Sequence, residues 1–333
     1  MIRKWVALIA VAVMAVGMPA RGSSAELTFG DIAAAVVKVE AKIKPGARTA
    51  PTLGLNRSGS GVVIAADGLI LTIGYIIMES QALSVSTRAG KTMPATFVAY
   101  DHRTGFGLLR ANGDLGVRPL NLGESAELKA GAPMLVLSSG QSRPVTPVRV
   151  VSRRPFAGYW EYLLDRAIYT MPMHPEYGGA ALVDLKGNLS GIGSLFINDA
   201  MEPGEPAPGN MFVPVDLLKP ILAKLIEQGR SGRSARPWIG VYTTEAEGKL
   251  VVKRVANDGP GAAAGVKPGD IIIGVNGRKI SDMAELFRIV WSSGDAGVDV
   301  PLDVLPYGAQ SLEIKKITVR SRDRHKWLRL GHE

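Results

Sequence analysis

The sequence contains no cysteine among its 333 residues. A chain without cysteine forms no disulfide bonds, so the redox state of its compartment does not matter to its fold. Its stability must come from packing, and the chain is long enough for two domains that each bury a core.

Motifs for cofactors, metals and nucleic acids are also missing. The Gly-Ser-Gly at 59–61 lacks the Lys-Ser or Lys-Thr pair that a phosphate-binding loop needs. No basic segment is interleaved with aromatic residues in the way that is typical of nucleic-acid binding. We therefore expect no cofactor, no metal site and no nucleic-acid partner.

The one long uncharged apolar run lies at the N-terminus. Arg3 and Lys4 precede a run from Trp5 to Met18, and small residues follow at 23–25. This pattern predicts a secretory signal peptide over residues 1–25, and hence an exported protein. Because the run is short for a membrane span, an uncleaved membrane anchor is the alternative, and no later stretch is long enough to cross a bilayer.

Composition divides the rest of the chain into four parts. Residues 26–225 are mostly short apolar runs punctuated by Gly, Pro, Asn and Ser, which is typical of an all-β domain. Residues 226–236 intersperse Arg with Gly and Ser and predict a linker. Residues 237–320 predict a smaller domain of strands and helices. Residues 321–333 form a basic C-terminal tail that we expect to be solvated; a patch for an acidic partner or a membrane surface is the alternative.

Three segments of the first domain carry a recognisable order of strands and turns. Residues 175–193 hold two adjacent glycines, an apolar strand, a Lys-Gly-Asn turn and a second strand. Residues 59–77 hold two apolar strands around an Asp-Gly turn, and residues 100–110 run from a polar turn into an apolar strand. Together these segments resemble the HtrA (DegP-like) serine proteases. The resemblance implies a mainly β fold, with a chymotrypsin-like double β-barrel followed by a PDZ domain.

The same resemblance identifies the positions at which the family carries its catalytic triad. Tyr75 stands in place of the general-base histidine, Gly105 in place of the aspartate, and Gly178 in place of the nucleophilic serine. Glu176 and Tyr177 occupy the oxyanion loop, where the family has Gly and Asn. If the serine was deleted rather than replaced, Gly178 is one of the family's own glycines, and the loop still offers no hydroxyl nucleophile. We therefore expect no catalytic residue in this cleft.

Four polar residues near these segments are candidates for displaced catalytic groups. We interpret Asp101 as a solvated turn residue and His102 as a surface loop residue. His174 is expected to pack within its loop, because a base needs a nucleophile within reach and none is offered. Ser190, in the second strand of the hairpin, is expected to be a packed or edge hydroxyl.

Residues 237–320 resemble a bacterial PDZ domain. The resemblance rests on a strand at 238–241, a small-residue helix, turn and strand over 259–277, and an amphipathic helix that begins near Ser281. It implies a peptide groove in which backbone N–H groups hold a terminal carboxylate and the helix contributes an apolar pocket. The implied groove residues are Trp238, Ile239, Gly240, Val241, Leu286 and Val290. The alternative is that this domain only packs on the barrel, with its groove occluded or empty.

The leading interpretation is an exported, periplasmic pseudoprotease that binds peptides, protein C-termini or unfolded exported proteins as a scaffold, regulator or chaperone. One alternative is an active serine endopeptidase in protein quality control that uses displaced residues. Another is a structural subunit that assembles with an active homologue, since the resemblance also implies trimers.

Overall fold

The computed structural model describes residues 27–308, 313–328 and 330. The signal peptide predicted over residues 1–25 lies outside the described residues. Within the described part of the chain, no helix has the length and apolar character needed to cross a membrane.

Six strands close the first β-barrel. Their order around the barrel is β1-β2-β3-β6-β5-β4, and all neighbours run antiparallel. The strands are β1 (Val36–Ile43), β2 (Asn56–Val63), β3 (Leu69–Ile73), β4 (Ser80–Ser86), β5 (Thr92–Tyr100) and β6 (Phe106–Ala111). Three short helices accompany them: α1 (Phe29–Ala34), α2 (Ala50–Leu53) and α3 (Gly74–Ile77). Helix α1 begins at Phe29, because Thr28 and Asp31 cap it reciprocally.

The second barrel repeats this arrangement with six further strands. The order is β10-β11-β12-β9-β8-β7. The strands are β7 (Pro133–Leu137), β8 (Val145–Gly158), β9 (Tyr162–Met171), β10 (Ala181–Val183), β11 (Leu189–Ile197) and β12 (Gly209–Pro214). A 3₁₀ turn (Val215–Leu217) and helix α4 (Leu222–Gln228) follow. Helix α4 therefore extends into the stretch 226–236 that composition assigns to the linker.

A smaller α+β domain follows the two barrels. Its sheet has the order β13-β14-β15-β17-β18, with β16 beside β15. The strands are β13 (Val241–Ala246), β14 (Lys249–Val255), β15 (Ile271–Val275), β16 (Arg278–Lys279), β17 (Asp299–Leu305) and β18 (Lys315–Arg320). The helices are α5 (Pro260–Ala263) and α6 (Met283–Ser292). The predicted fold class, a mainly β double barrel followed by an α+β domain, is confirmed.

Helix α6 begins one residue later than the sequence indicates. Asp282, not Ser281, is its N-cap, and the Asp282 carboxylate accepts a hydrogen bond from the Glu285 N–H at 2.7 Å. Leu286, Phe287 and Val290 on its apolar face are buried as predicted. Because β13 is an edge strand that lies beside α6, the domain keeps one strand edge next to a helix, which is the geometry of a peptide groove.

The expectation of a solvated tail is wrong for residues 321–328. Helix α7 (Arg324–Trp327) packs against the body of the protein, with the Trp327 ring 4.5 Å from the Trp238 ring and Leu328 only 3% exposed. Backbone hydrogen bonds between Trp238 and Arg322, at 3.0 and 2.9 Å, hold the start of the segment. The basic residues dominate the composition, but Trp327 and Leu328 supply enough apolar surface to dock the segment.

Candidate functional site

Tyr75 lies in the cleft between the two barrels, directly after strand β3. Gly74 brings the start of α3 against the loop before β6, where its N–H donates to the Gly105 carbonyl at 2.7 Å. The Tyr75 hydroxyl donates to the Ser194 carbonyl at 3.0 Å. Burial raises the pKa of the Tyr75 phenol above its usual range, and the nearby Tyr177 phenol adds to that shift. Tyr75 therefore stays protonated near neutral pH and acts as a donor, not as a base.

The Tyr75 hydroxyl fills the space beside Gly178. A Cβ atom built on Gly178 would lie 3.0 Å from the Tyr75 oxygen, which is closer than ordinary van der Waals contact. The Gly178 carbonyl accepts a hydrogen bond from the Ser60 N–H at 2.8 Å, which ties the loop to the first barrel. The next residue, Gly179, has φ +75° and packs directly against the Ser60 carbonyl, so only glycine fits there.

Gly105 completes the set of three positions taken from the resemblance. Its φ is +79°, and a Cβ atom there would lie 3.2 Å from the Tyr162 hydroxyl. That hydroxyl donates to the Thr104 carbonyl at 2.6 Å. The structure thus brings Tyr75, Gly105 and Gly178 into one cleft, and the roles assigned to these positions remain a prediction.

The expectations for Asp101 and His102 as exposed residues are wrong. Asp101 is a turn residue, but it is buried, and its carboxylate accepts hydrogen bonds from the Thr104 N–H at 2.9 Å and hydroxyl at 2.7 Å. His102 is half-buried between the rings of Tyr100 and His325, at 4.6 and 5.9 Å. Burial lowers the pKa of His102 well below its usual value, and Arg324 adds to this shift. Both residues are covered because the C-terminal segment packs over this turn.

His174 and Ser190 are packed, as predicted. His174 is fully buried; its Nδ1 lies 2.8 Å from the Thr146 hydroxyl, and burial lowers its pKa. Ser190 is buried in β11. The Glu176 carboxylate, in the loop that the resemblance identifies as the oxyanion loop, accepts a hydrogen bond from the Ser138 hydroxyl at 2.9 Å. None of these groups forms a nucleophile and base pair that a substrate could reach.

A cavity of about 320 Å³ lies beside Tyr75 and Gly105. Tyr75 and Tyr177 line it from the barrels, Tyr242 and Arg254 line it from the α+β domain, and Trp327 lines it from the C-terminal segment. The second domain and the C-terminal segment thus cover the cleft in this structure.

The groove of the second domain already holds a carboxylate from the barrel. The Oε1 atom of Glu161 accepts hydrogen bonds from the N–H groups of Gly240 at 2.7 Å and Val241 at 3.3 Å, and Oε2 accepts one from Ile239 at 3.3 Å. These are the three donors that the resemblance assigns to a terminal carboxylate. Gly240 has φ +70°, a left-handed conformation that suits glycine in this loop.

Glu161 lies at the tip of the β8–β9 hairpin and is only 6% exposed. Burial raises the pKa of its carboxyl group from 4.5 to about 7, although Arg324 and the three N–H donors favour the charged form. Sequence reasoning missed Glu161, because no pattern in the hairpin indicates a contact with residues about 80 positions away.

The apolar side of the groove is filled by the same hairpin. Leu163 of β9 belongs to one buried cluster with Ile239, Leu286 and Val290. Helix α6 packs against both β8 and β9, and its Arg288 forms an exposed salt bridge of 2.8 Å with Asp165. Trp238, the remaining predicted groove residue, is buried against Trp327 rather than open to a ligand.

No group of three or more His, Cys, Asp or Glu side chains that could hold a metal ion occurs among residues 27–308, 313–328 and 330.

Comparisons with known protein families match both parts of the chain. Residues 59–192 match the family described as trypsin-like peptidase domain, and residues 237–313 match the PDZ domain family. The chain thus combines a trypsin-like peptidase domain with a PDZ domain.

Relatives of this chain are named as proteases. The chain is 29% identical over 282 residues to "Serine protease PepD" of Mycobacterium tuberculosis, covering 77% of this chain and 60% of the relative. It is 29% identical over 268 residues to a "Probable periplasmic serine endoprotease DegP-like" of Pseudomonas fluorescens, covering 75% of this chain and 54% of the relative. The chain thus spans little more than half the length of these curated relatives.

Solved structures share the fold. The structure described as "HtrA-type protease AlgW with decapeptide" superposes with a TM-score of 0.52 at 22% identity, covering 92% of this chain and 100% of that chain. A serine endoprotease from Yersinia pestis gives a TM-score of 0.52 at 23% identity, covering 89% and 98%. At these identities the likeness concerns the fold alone.

Proposed function

We propose that this chain, which shares the trypsin-like peptidase domain and PDZ domain of the HtrA-type serine proteases, is an exported pseudoprotease that binds peptide C-termini through its PDZ domain. The finding that carries the proposal is the contact between the Tyr75 hydroxyl and the space beside Gly178. A working triad needs a nucleophile and a base. At the corresponding positions this cleft has Gly178, which has no side chain, and Tyr75, whose phenol is protonated.

Peptide bond hydrolysis needs further groups that this cleft does not supply. Gly105 has no side chain to orient a base, and the Glu176 carboxylate would add a negative charge close to a developing oxyanion. Because the members of a triad act together, loss of all three removes nearly the whole of their contribution.

The peptide-binding half of the proposal rests on the PDZ loop. Its three N–H donors are arranged to hold a carboxylate, since they hold that of Glu161. Strand β13 is a sheet edge to which an extended peptide can add, and Leu286 and Val290 offer an apolar surface for its last side chain. Peptides with a free C-terminus and an apolar last residue are the ligands that fit these features.

Export is the remaining part of the proposal. It rests on the charged start and apolar run of residues 1–25 and on relatives that are named as periplasmic. Unfolded exported proteins and a homologue with an intact triad are the partners that this location would offer.

The test of the catalytic half is cleavage of unfolded casein by the purified chain. We expect no turnover in the native chain or in a Gly178→Ala variant, which controls for contaminating protease. Relatives are named as proteases, so an active enzyme is the rival outcome. Native activity that disappears in the control, or labelling of the native chain by a fluorophosphonate, would overturn the proposal.

The binding half is tested with matched peptides that end in leucine, one with a free terminus and one amidated. The free peptide should bind more tightly, since amidation removes the charge that the three N–H donors stabilise. Equal affinity for both peptides would show that the carboxylate loop is wrongly assigned.

A further inference from the structure

The peptide-binding loop of the PDZ domain has a partner within the chain. All three backbone donors of the loop bond to the Glu161 carboxylate, at 2.7 to 3.3 Å. Glu161 comes from the other domain, at the tip of a hairpin in the second barrel. The loop is therefore occupied, and the occupant has the chemical group that the loop is proposed to recognise.

The hairpin contributes a residue to the carboxylate loop and another to the apolar cluster that contains Leu286 and Val290. A peptide terminus would place its carboxylate on the loop and its last side chain against Leu286 and Val290. Here Glu161 supplies the carboxylate, and Leu163, two residues later, supplies the apolar side chain in the same cluster. The hairpin thus presents the charged and apolar groups of a C-terminal peptide from an internal turn.

We propose that Glu161 and Leu163 form a tethered internal ligand of the PDZ domain, and that external C-terminal peptides bind by displacing it. This inference rests on the proposed function, since it assumes that the PDZ loop is the peptide site.

Tethering makes the internal ligand an effective competitor. A group attached to the same chain competes at an effective concentration that is set by the length and stiffness of its connection. The apparent affinity for a peptide is reduced by the fraction of molecules in which the groove is open. Peptides that bind an open groove well therefore bind the native chain more weakly.

The burial of the Glu161 carboxylate weakens its docking and so favours displacement of the internal ligand. Its carboxylate loses its water shell on docking, and burial raises the pKa of Glu161 to about 7, which shows that the buried charge is incompletely compensated. Displacement would separate the PDZ domain from the hairpin. Since Tyr242 and Arg254 belong to the PDZ domain, their side of the cavity beside Tyr75 would open with it.

The test compares two glutamates in similar backbone conformations. Glu161 has φ 57°, and Glu247, in the exposed turn between β13 and β14, has φ 51°. Asparagine tolerates this conformation, so Glu161→Asn removes the charge and shortens the side chain with little backbone strain. Glu247→Asn is the matched control.

The first measurement needs no peptide. Hydrogen exchange of the full chain should show faster exchange of the 239–241 amides in Glu161→Asn than in the native chain, by about tenfold or more. The control variant should exchange like the native chain. Unchanged protection in Glu161→Asn would overturn the internal ligand, because those amides would not depend on the carboxylate.

The second measurement uses a fluorescein-labelled decapeptide ending in a free leucine. Glu161→Asn should bind it about tenfold or more tightly than the native chain, whereas Glu247→Asn should not change the affinity. If amide exchange at 239–241 rises in Glu161→Asn but none of the three proteins binds the peptide, the internal contact stands and the proposed peptide function fails. If the peptide binds all three proteins equally, displacement is wrong and peptide binding stands.

Discussion

At the scale of single residues, the cleft owes its character to steric coupling between Tyr75 and Gly178. A Cβ atom at 178 would lie only 3.0 Å from the phenol oxygen, so a side chain there would press on the phenol. The residue types at 75 and 178 are therefore sterically coupled.

This coupling predicts that Gly178→Ser destabilises the protein by about 1–3 kcal/mol, because an extra side chain is forced against the phenol. Tyr75→Phe removes the phenol oxygen together with its hydrogen bond to Ser194. The double variant should be more stable than the sum of the two single changes indicates, by about 0.5 kcal/mol or more. Urea unfolding of the four proteins measures the coupling, and strictly additive effects would contradict the contact.

The same position predicts that a restored serine alone is inert. Gly178→Ser should show no casein cleavage and no fluorophosphonate labelling, because a triad that lacks its base loses roughly 10⁶-fold in kcat. Only Tyr75→His, Gly105→Asp and Gly178→Ser together supply all three groups, so turnover should appear there first. Labelling of the single serine variant would show that another base serves the site.

Glu161 predicts a pH dependence of PDZ opening. Its pKa is raised from 4.5 to about 7 in the closed state, so its docking is most favourable below pH 4.5 and weakens as the pH rises through 7. Peptide affinity of the native chain should therefore increase from pH 5 to pH 8, and Glu161→Asn should lack this increase. Fluorescence anisotropy of a labelled peptide over that pH range measures whether the affinity rises. If the affinity changes equally with pH in both proteins, the dependence belongs to other groups.

Other titrating or charged groups lie near Glu161. They are Asp101, His102, Arg103, Arg230, Arg233, Arg236, Tyr242, Asp323, Arg324 and His325. Burial lowers the pKa of both His102 and His325, so their contribution has the opposite sign and is lost as the pH falls. The difference between the native chain and Glu161→Asn isolates the carboxylate, because these groups remain in both.

At the scale of elements, the C-terminal helix α7 joins the two domains. The Trp327 ring contacts the Trp238 ring of the PDZ domain. The guanidinium of Arg48, from the first barrel, stacks over the Trp327 ring at 4.7 Å. The segment also covers the turn that carries Asp101 and His102. A stretch that looks like a basic tail thus serves as a clamp between domains.

The clamp predicts that Trp327→Ala lowers the free energy of unfolding by about 2 kcal/mol, since a large and partly buried ring is removed. Lys326→Ala, on the exposed side of the same helix, is the control and should change it by less than about 0.5 kcal/mol. Urea unfolding followed by fluorescence measures both. Equal effects would mean that the ring contributes no more than a surface residue.

At the scale of the whole molecule, the PDZ domain, the hairpin and α7 together close the cleft between the barrels. The cavity beside Tyr75 has walls from both domains. We therefore expect displacement of the proposed internal ligand to change access to this cavity. We expect peptide binding at the PDZ domain to change the solvent exposure of the cleft between the barrels.

Export is the prediction that concerns the complete chain. Protein recovered from the exported fraction of expressing cells should begin near residue 26, because a charged start, an apolar run and small residues before the site occur together. Mass spectrometry of the N-terminus measures this. Recovery of intact Met1 would support the uncleaved anchor instead.

The sequence by itself determined the order of strands, the division into two domains and the fold class. Strand patterns and turns such as the Asp-Gly turn before β3 are local, and local signals suffice where each segment's backbone conformation depends on its own residues. The resemblance placed Tyr75, Gly105 and Gly178 in one cleft for the same reason, since the strands that flank them can be recognised from their local sequence patterns.

Only the tertiary structure decided what surrounds those positions. The contact of Tyr75 with the space at Gly178, the burial of Asp101 and His102, and the docking of Trp327 join segments far apart in the chain. Glu161 is the clearest case, because one carboxylate in a turn has no local signal for the loop 79 residues away that binds it. Such contacts depend on how domains pack, and side-chain periodicity carries no information about that packing.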